Sequence, residues 1–151
     1  VPSVLSRRAA LAGIAASLAP RIAAAAAAEQ PMSVTSDRRR LYGTLALPEG
    51  SGPHPAVLIV AGSGPTDRDG NNPLGIRSDT YKELAYALAA GGVASLRYDK
   101  RYVGASNVPP VDETRLRYED EVDDAVAWLR LLRRDSRLGP LTIAGHSQGS
   151  L

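Results

Sequence analysis

Residues 141–151 read Leu-Thr-Ile-Ala-Gly-His-Ser-Gln-Gly-Ser-Leu. Leu141 to Ala144 have the apolar character of a short strand, and Gly145-His146-Ser147-Gln148-Gly149 fits G-x-S-x-G. A serine hydroxyl is a poor nucleophile alone. It needs a base to take its proton and donors to hold the oxyanion that forms. The pattern supplies the geometry for this. A very tight strand-to-helix turn lifts Ser147 above a sheet, and Gly145 and Gly149 leave room where side chains would collide. The Gln148 N–H, at the start of a helix, then points at the developing oxyanion. A motif with so few fixed positions recurs by chance. The competing reading is a glycine-rich connection with a surface serine, so the context has to decide.

Working outward, the context fits. Residues 32–36 (MSVTS) and 41–48 (LYGTLALP) read as two strands joined by the polar turn Asp37-Arg38-Arg39-Arg40. After a Gly/Pro loop, residues 56–62 (AVLIVAG) form a continuous apolar run, the mark of a strand buried on both faces. A long loop follows. Residues 78–92 then read as a helix, with Ser78 or Asp79 as its cap, Leu84, Ala85 and Leu88 on one face, and Gly91-Gly92 at its end. Residues 93–99 (VASLRYD) predict another buried strand. The clearest helix covers residues 118–135, with an apolar stripe of Val122, Ala125, Val126, Leu129 and Leu132. Its acids cluster at the start and its arginines at the end, complementing the helix dipole, and the acids read as a solvated helix start. Strands alternating with helices after an antiparallel pair predict an α/β fold, a mainly parallel sheet wrapped by helices. Ligands of such sheets meet the loops at the carboxyl ends of the strands.

Composition narrows the function. Among 151 residues, 18 are basic and 16 acidic, and no basic stripe with interleaved aromatics appears, so nucleic acid is not the expected partner. The absence of cysteine excludes disulfides, thiolate metal sites and a Cys nucleophile. No metal or cofactor is expected. Gly62-Ser63-Gly64-Pro65-Thr66-Asp67 lacks the last glycine of a dinucleotide loop and the Gly-Lys pair of a P-loop. The run from Asp67 to Asn72 lacks the glycine and glutamate an EF-hand loop needs, so Asp67, Asp69 and Asn71 read as a turn network on nearby backbone N–H groups. Neither histidine reads as the base. His146 adjoins Ser147 and is expected to pack beneath the turn, and His54 precedes a strand at the end away from the active face.

The first segment reads as an address. Ser6-Arg7-Arg8 precedes Leu11, a weakly apolar run follows, and the alanines up to Ala28 offer an A-x-A cleavage site. The paired arginines point to the twin-arginine route, which exports folded proteins. An alanine-rich helix of the mature protein competes with this reading, but Pro20 interrupts it. Arg21 breaks the run that a stable membrane anchor requires. The expected organisation is a signal peptide over residues 1–28 and an enzyme domain over 29–151, exported to the periplasm or beyond.

Three stretches together carry a resemblance: residues 58–72 (LIVAGSGPTDRDGNN), 96–106 (LRYDKRYVGAS) and 143–150 (IAGHSQGS). From about Met32 onward the chain resembles the N-terminal half of an α/β-hydrolase, within the esterase-like group related to serine aminopeptidases. The resemblance implies a carboxylic-ester hydrolase working through an acyl-enzyme on a small-molecule ester, with Ser147 as nucleophile. It implies oxyanion donors at the N–H of Gln148 and of Ser63, with Gly64 the alternative to Ser63. In this fold the triad runs in the order Ser, acid, His. The expectation is therefore a fragment, truncated after the elbow, without its acid and histidine and with an open sheet edge. The alternatives are an aminopeptidase-like enzyme of the same fold, or an inactive remnant or binding module. One departure stands out. The group usually has glycine where this chain has Tyr102, so Tyr102 is expected to strain or reroute its loop.

Overall fold

The computed structural model describes residues 27–109 and 112–151. The leader expected over residues 1–28 lies outside them except for its last two residues, and Ala28 already belongs to the first strand. Among the described residues, no helix is long and apolar enough to cross a membrane.

The strands are β1 (Ala28–Ser36), β2 (Arg39–Leu47), β3 (His54–Val60), β4 (Ala94–Tyr98) and β5 (Leu138–Gly145). The helices are α1 (Thr80–Ala90) and α2 (Tyr118–Leu132). The sheet order is β1-β2-β4-β3-β5. β4, β3 and β5 run parallel, and the β1–β2 hairpin joins antiparallel through β2 and β4. The hairpin turn is tighter than expected. Ser36 pairs with Arg39, leaving only Asp37 and Arg38, both at positive φ (41° and 63°). Arg39 and Arg40 join the ladder instead, because a two-residue turn with both φ positive matches the twist of its strands.

Alternation along the central strands sorts the core into two layers. Leu58 and Val60 of β3, with Ala94, Leu96 and Tyr98 of β4, face Trp128 and Leu132 of α2. Ile59 and Ala61 point the other way, toward Tyr81 of α1. Every residue of β4 is buried. Burying side chains such as Leu58, Leu96 or Trp128 stabilises the fold by roughly 1.5–3 kcal/mol each. Arg97, on the α1 side of β4, is buried as well. Its guanidinium pairs with Asp69 at 2.8 Å and Glu29 at 2.7 Å. Burial alone would depress its pKa, and these two carboxylates outweigh it and hold the pKa above the usual arginine value.

Both helices bury a face rotated from the one the sequence pattern proposed: Ala85, Leu88, Ala125, Leu129 and Leu132 do pack on the core, but the most buried positions lie to one side of that stripe. In α1 the buried residues are Tyr81, Ala85 and Ala89, while Leu84 is exposed. Asp79 takes the cap position at φ 48° but makes no side-chain cap bond. The amides of Tyr81 and Lys82 bond to the Asp69 carbonyl instead. The end is as expected: Gly92 (φ 80°) lets its own N–H reach the Ala89 carbonyl and the Val93 N–H reach Leu88, a Schellman closure. In α2 the buried positions are Asp124, Trp128 and Leu132, and Val122 is exposed. The acidic first turns are therefore not simply solvated. Asp120 accepts from the Arg117 N–H, and Asp124 is buried against a cation on the loop after β4.

β5 lies at the edge opposite the hairpin, paired on one side with β3. From Thr142 to Ser147 it is exposed, Ile143 among them. Among the described residues, no strand pairs with its outer edge.

Candidate active site

The site forms where β3 and β5 end side by side, with Val60 opposite Gly145. The His146 N–H donates to the Val60 carbonyl at 3.0 Å, and the chain then turns sharply into a short 3₁₀ helix, Ser147–Ser150. Ser147 takes φ 53° at the corner. A residue with a Cβ held in the left-handed region costs on the order of 1–3 kcal/mol, and such strain persists only where its surroundings enforce it. Two glycines permit the corner. A Cβ on Gly149 would stand 2.6 Å from the Val60 carbonyl oxygen and 2.7 Å from that of Ala61, and a Cβ on Gly145 would run into the Gly149 carbonyl. The Gly149 N–H closes on the His146 carbonyl at 2.9 Å, and Ser150 Oγ donates to the Ser147 carbonyl at 2.5 Å.

Ser147 is exposed and lines a cavity of about 370 Å³ with Gly62, Ser63, Thr66, Tyr81 and His146. A Cβ on Gly62 would come within 3.1 Å of the Ser147 Cβ, so the loop after β3 passes directly against the corner. Gln148 faces a second cavity of about 400 Å³, with Gly64, Pro65, Lys100 and Tyr102. Among the described residues, the backbone N–H groups of Ser63, Gly64 and Gln148 donate to no protein group.

His146 does not pack beneath the turn. It is exposed, with Nδ1 hydrogen-bonded to the Tyr81 hydroxyl at 2.9 Å and its ring edge-on to that tyrosine. Gly62, lacking a Cβ, leaves the path to α1 open. His54 opens β3, at the end of the strand away from Ser147.

The loop after β4 carries residues whose placement the sequence did not reveal. The Asp99 carboxylate accepts from Arg68 N–H (2.8 Å), Arg68 Nη2 (2.6 Å) and Ala105 N–H (2.8 Å), tying this loop to the one after β3. Lys100 Nζ, also buried, donates to the Gly62 carbonyl at 2.6 Å. Arg101 grips Asp124 of α2 through Nε and Nη2, both at 2.8 Å. The Asp124 contact, above all, holds the Arg101 pKa above the usual arginine range. Tyr102 resolves the departure noted above by accepting the strain. It holds φ 64°, with the Arg39 guanidinium 4.5 Å over its ring. The motif strings 96–106 and 58–72 were the signal for this loop pair, but no spacing rule says which side chain reaches across.

In the loop after β3, Asp67 Oδ1 accepts from Asp69 and Asn71 N–H, and Asn71 Oδ1 from Ser78 and Asp79 N–H. That is the turn network expected of two of its members. Asp69 departs from it, spending its carboxylate on Arg97, because a buried guanidinium demands a counter-charge. Among the described residues, no cluster of His, Asp and Glu has the arrangement of a metal site.

No family model matches the chain. Over 115 residues it is 38% identical to Esterase EstD of Thermotoga maritima, an alignment covering 74% of this chain and 26% of that protein. The chain has the α/β-hydrolase fold. It spans about a quarter of the length of that curated relative. Solved α/β-hydrolases share its fold. GrgF, an α/β hydrolase from a Penicillium species, superposes with TM-score 0.64 at 18% identity, over 81% of this chain and 38% of that one. Est1E from Butyrivibrio proteoclasticus gives TM-score 0.57 at 20% identity, over 79% and 41%. Ser147 occupies the corner off β5 in this fold.

Proposed function

We propose that this chain carries the nucleophile-bearing part of an exported serine hydrolase that cleaves small carboxylic esters through an acyl-enzyme. One observation carries the reading. Ser147 stands at positive φ on a glycine-flanked corner off β5, against a loop whose Ser63 and Gly64 N–H groups donate to no described protein group. In this reading Ser147 Oγ attacks the ester carbonyl, and the N–H of Gln148 with that of Ser63 or Gly64 receives the oxyanion. Neither described histidine is placed to take the serine proton. His146 is held by Tyr81, and His54 lies at the far end of β3. The base and its acid partner therefore belong to another part of the protein, and the 151 residues alone turn over no ester. The ester class follows the relatedness to Esterase EstD.

The test uses the full-length protein from the reading frame that holds this chain. A fluorophosphonate probe is expected to label Ser147, located by peptide mass spectrometry. Ser147→Ala should abolish labelling and lower hydrolysis of a short-chain aryl ester by about 10³-fold or more. Equal hydrolysis by both proteins, or labelling elsewhere, defeats the reading. Export is tested separately, by fusing residues 1–28 to a reporter that works only outside the cytoplasm. Replacing Arg7 and Arg8 by Lys should stop its export.

A further inference from the structure

Lys100 is a buried cation that the ester mechanism does not call on. Its Nζ donates to the Gly62 carbonyl at 2.6 Å, with Glu121 Oε1 at 3.5 Å as its nearest carboxylate. Burying an ammonium is costly unless it is paired and hydrogen-bonded. What the lysine reaches matters more than that it is buried. The Gly62 carbonyl and the Ser63 N–H belong to one planar trans peptide, in which the two point in opposite directions. A carbonyl anchored on Lys100 therefore fixes where the Ser63 N–H points: away from Lys100. Ser63 lines the cavity that it shares with Ser147. Gly62 itself runs against the Ser147 Cβ, so a rotation of this peptide by a few tens of degrees would re-aim the N–H relative to the hydroxyl.

We propose that Lys100 is a positioning residue for oxyanion stabilisation: through the Gly62 carbonyl it orients the Ser63 N–H and polarises it as a donor. This rests on the reading of Ser63 as an oxyanion donor. A charge-assisted bond to the carbonyl draws electron density from the peptide nitrogen and strengthens its N–H as a donor. The gain falls on the transition state, where the oxygen carries charge, and hardly on the neutral bound ester. Lys100 neither touches substrate nor moves a proton.

The experiment compares wild type, Lys100→Met and Lys100→Arg in the full-length protein, with folding verified by circular dichroism. Lys100→Met should lower kcat by about 10–100-fold, below the 10²–10³ cost of deleting a donor outright, and leave KM within about twofold. Its affinity for an arylboronic acid, which forms a tetrahedral adduct on serine, should fall by a similar factor. Lys100→Arg, which keeps a cationic donor, should recover part of both. Ser63→Pro removes the N–H itself, so Lys100→Met added to it should cost little more. Additive losses, or equal losses in KM and kcat, mean a general structural role and overturn the inference. A wild type that hydrolyses no ester sinks the ester reading separately. The Ser63 amide then decides: a ¹⁵N resonance that Lys100→Met shifts, while distant amides stay put, supports the orienting role, and an unmoved resonance overturns it.

Discussion

Arg101, on the loop after β4, closes a two-pronged bond on Asp124 of α2, 2.8 Å on each arm, with both side chains buried. The pair clamps the only described helix on its face of the sheet to the loop that also carries Lys100. Asp120 at 3.2 Å and Asp37 at 3.8 Å add weaker attraction. Removing one partner of such a pair leaves a charge buried without compensation. Asp124→Ala should therefore cost about 3 kcal/mol, the low end for a broken buried pair, since Asp120 remains. Urea denaturation measures it. A loss under about 1 kcal/mol would show that water or Asp120 replaces the partner fully.

Of the five described non-glycine residues at left-handed φ, Arg38 at 63° and Tyr102 at 64° lie deepest in that region. Arg38→Gly should stabilise the protein by about 1 kcal/mol, because it relieves the hairpin turn. Tyr102 is different, since its ring lies under Arg39. Tyr102→Ala loses that contact and keeps the strain, whereas Tyr102→Gly loses the contact and the strain together. The glycine variant should therefore be the more stable of the two by about 1 kcal/mol. Thermal melts of the three variants decide it.

Gly149→Ala drives a methyl group toward the Val60 and Ala61 carbonyls, both backbone and unable to swing aside. The corner has to open, at a cost of about 2 kcal/mol. Ser147 then leaves its place, and fluorophosphonate labelling should fall more than the stability loss explains. Unchanged labelling would mean the corner is not what makes Ser147 reactive.

Stability should fall at both pH extremes, for identifiable reasons. The Arg137 side chain bonds Asp135 and holds its carboxyl below the usual aspartate range. A folded-state pKa that is depressed adds stability above the unfolded value, and this is lost as pH falls through the lower folded one. Asp135→Asn should flatten the acid limb of a stability–pH curve. Burial, with Asp124 and Glu121 nearby, raises the Tyr98 phenol. That contribution is full below the ordinary tyrosine value of about 10 and is lost as pH rises beyond it. Absorbance at 295 nm should show Tyr98 ionising only as the fold opens. The Tyr98 hydroxyl is buried with no hydrogen-bond partner among the described residues, so Tyr98→Phe should stabilise at neutral pH by about 1 kcal/mol and weaken the alkaline limb.

The amino-acid order alone determined the strand–helix alternation, the sharp turn at Ser147 and the α/β fold class, because these rest on short-range patterning. The short apolar run at 56–62, bounded by Gly and Pro, favours a buried strand, and a glycine-flanked serine after such a strand has few conformations open to it. Only the tertiary structure decided which helix faces are buried, that Asp124 leaves the solvent for Arg101, that Asp69 answers Arg97, and that Lys100 holds the Gly62 peptide. These partners stand 23 to 38 residues apart in sequence. A buried charge accepts whichever opposite charge or carbonyl the packing brings within about 3 Å, a choice made by the assembled layers and by no local rule.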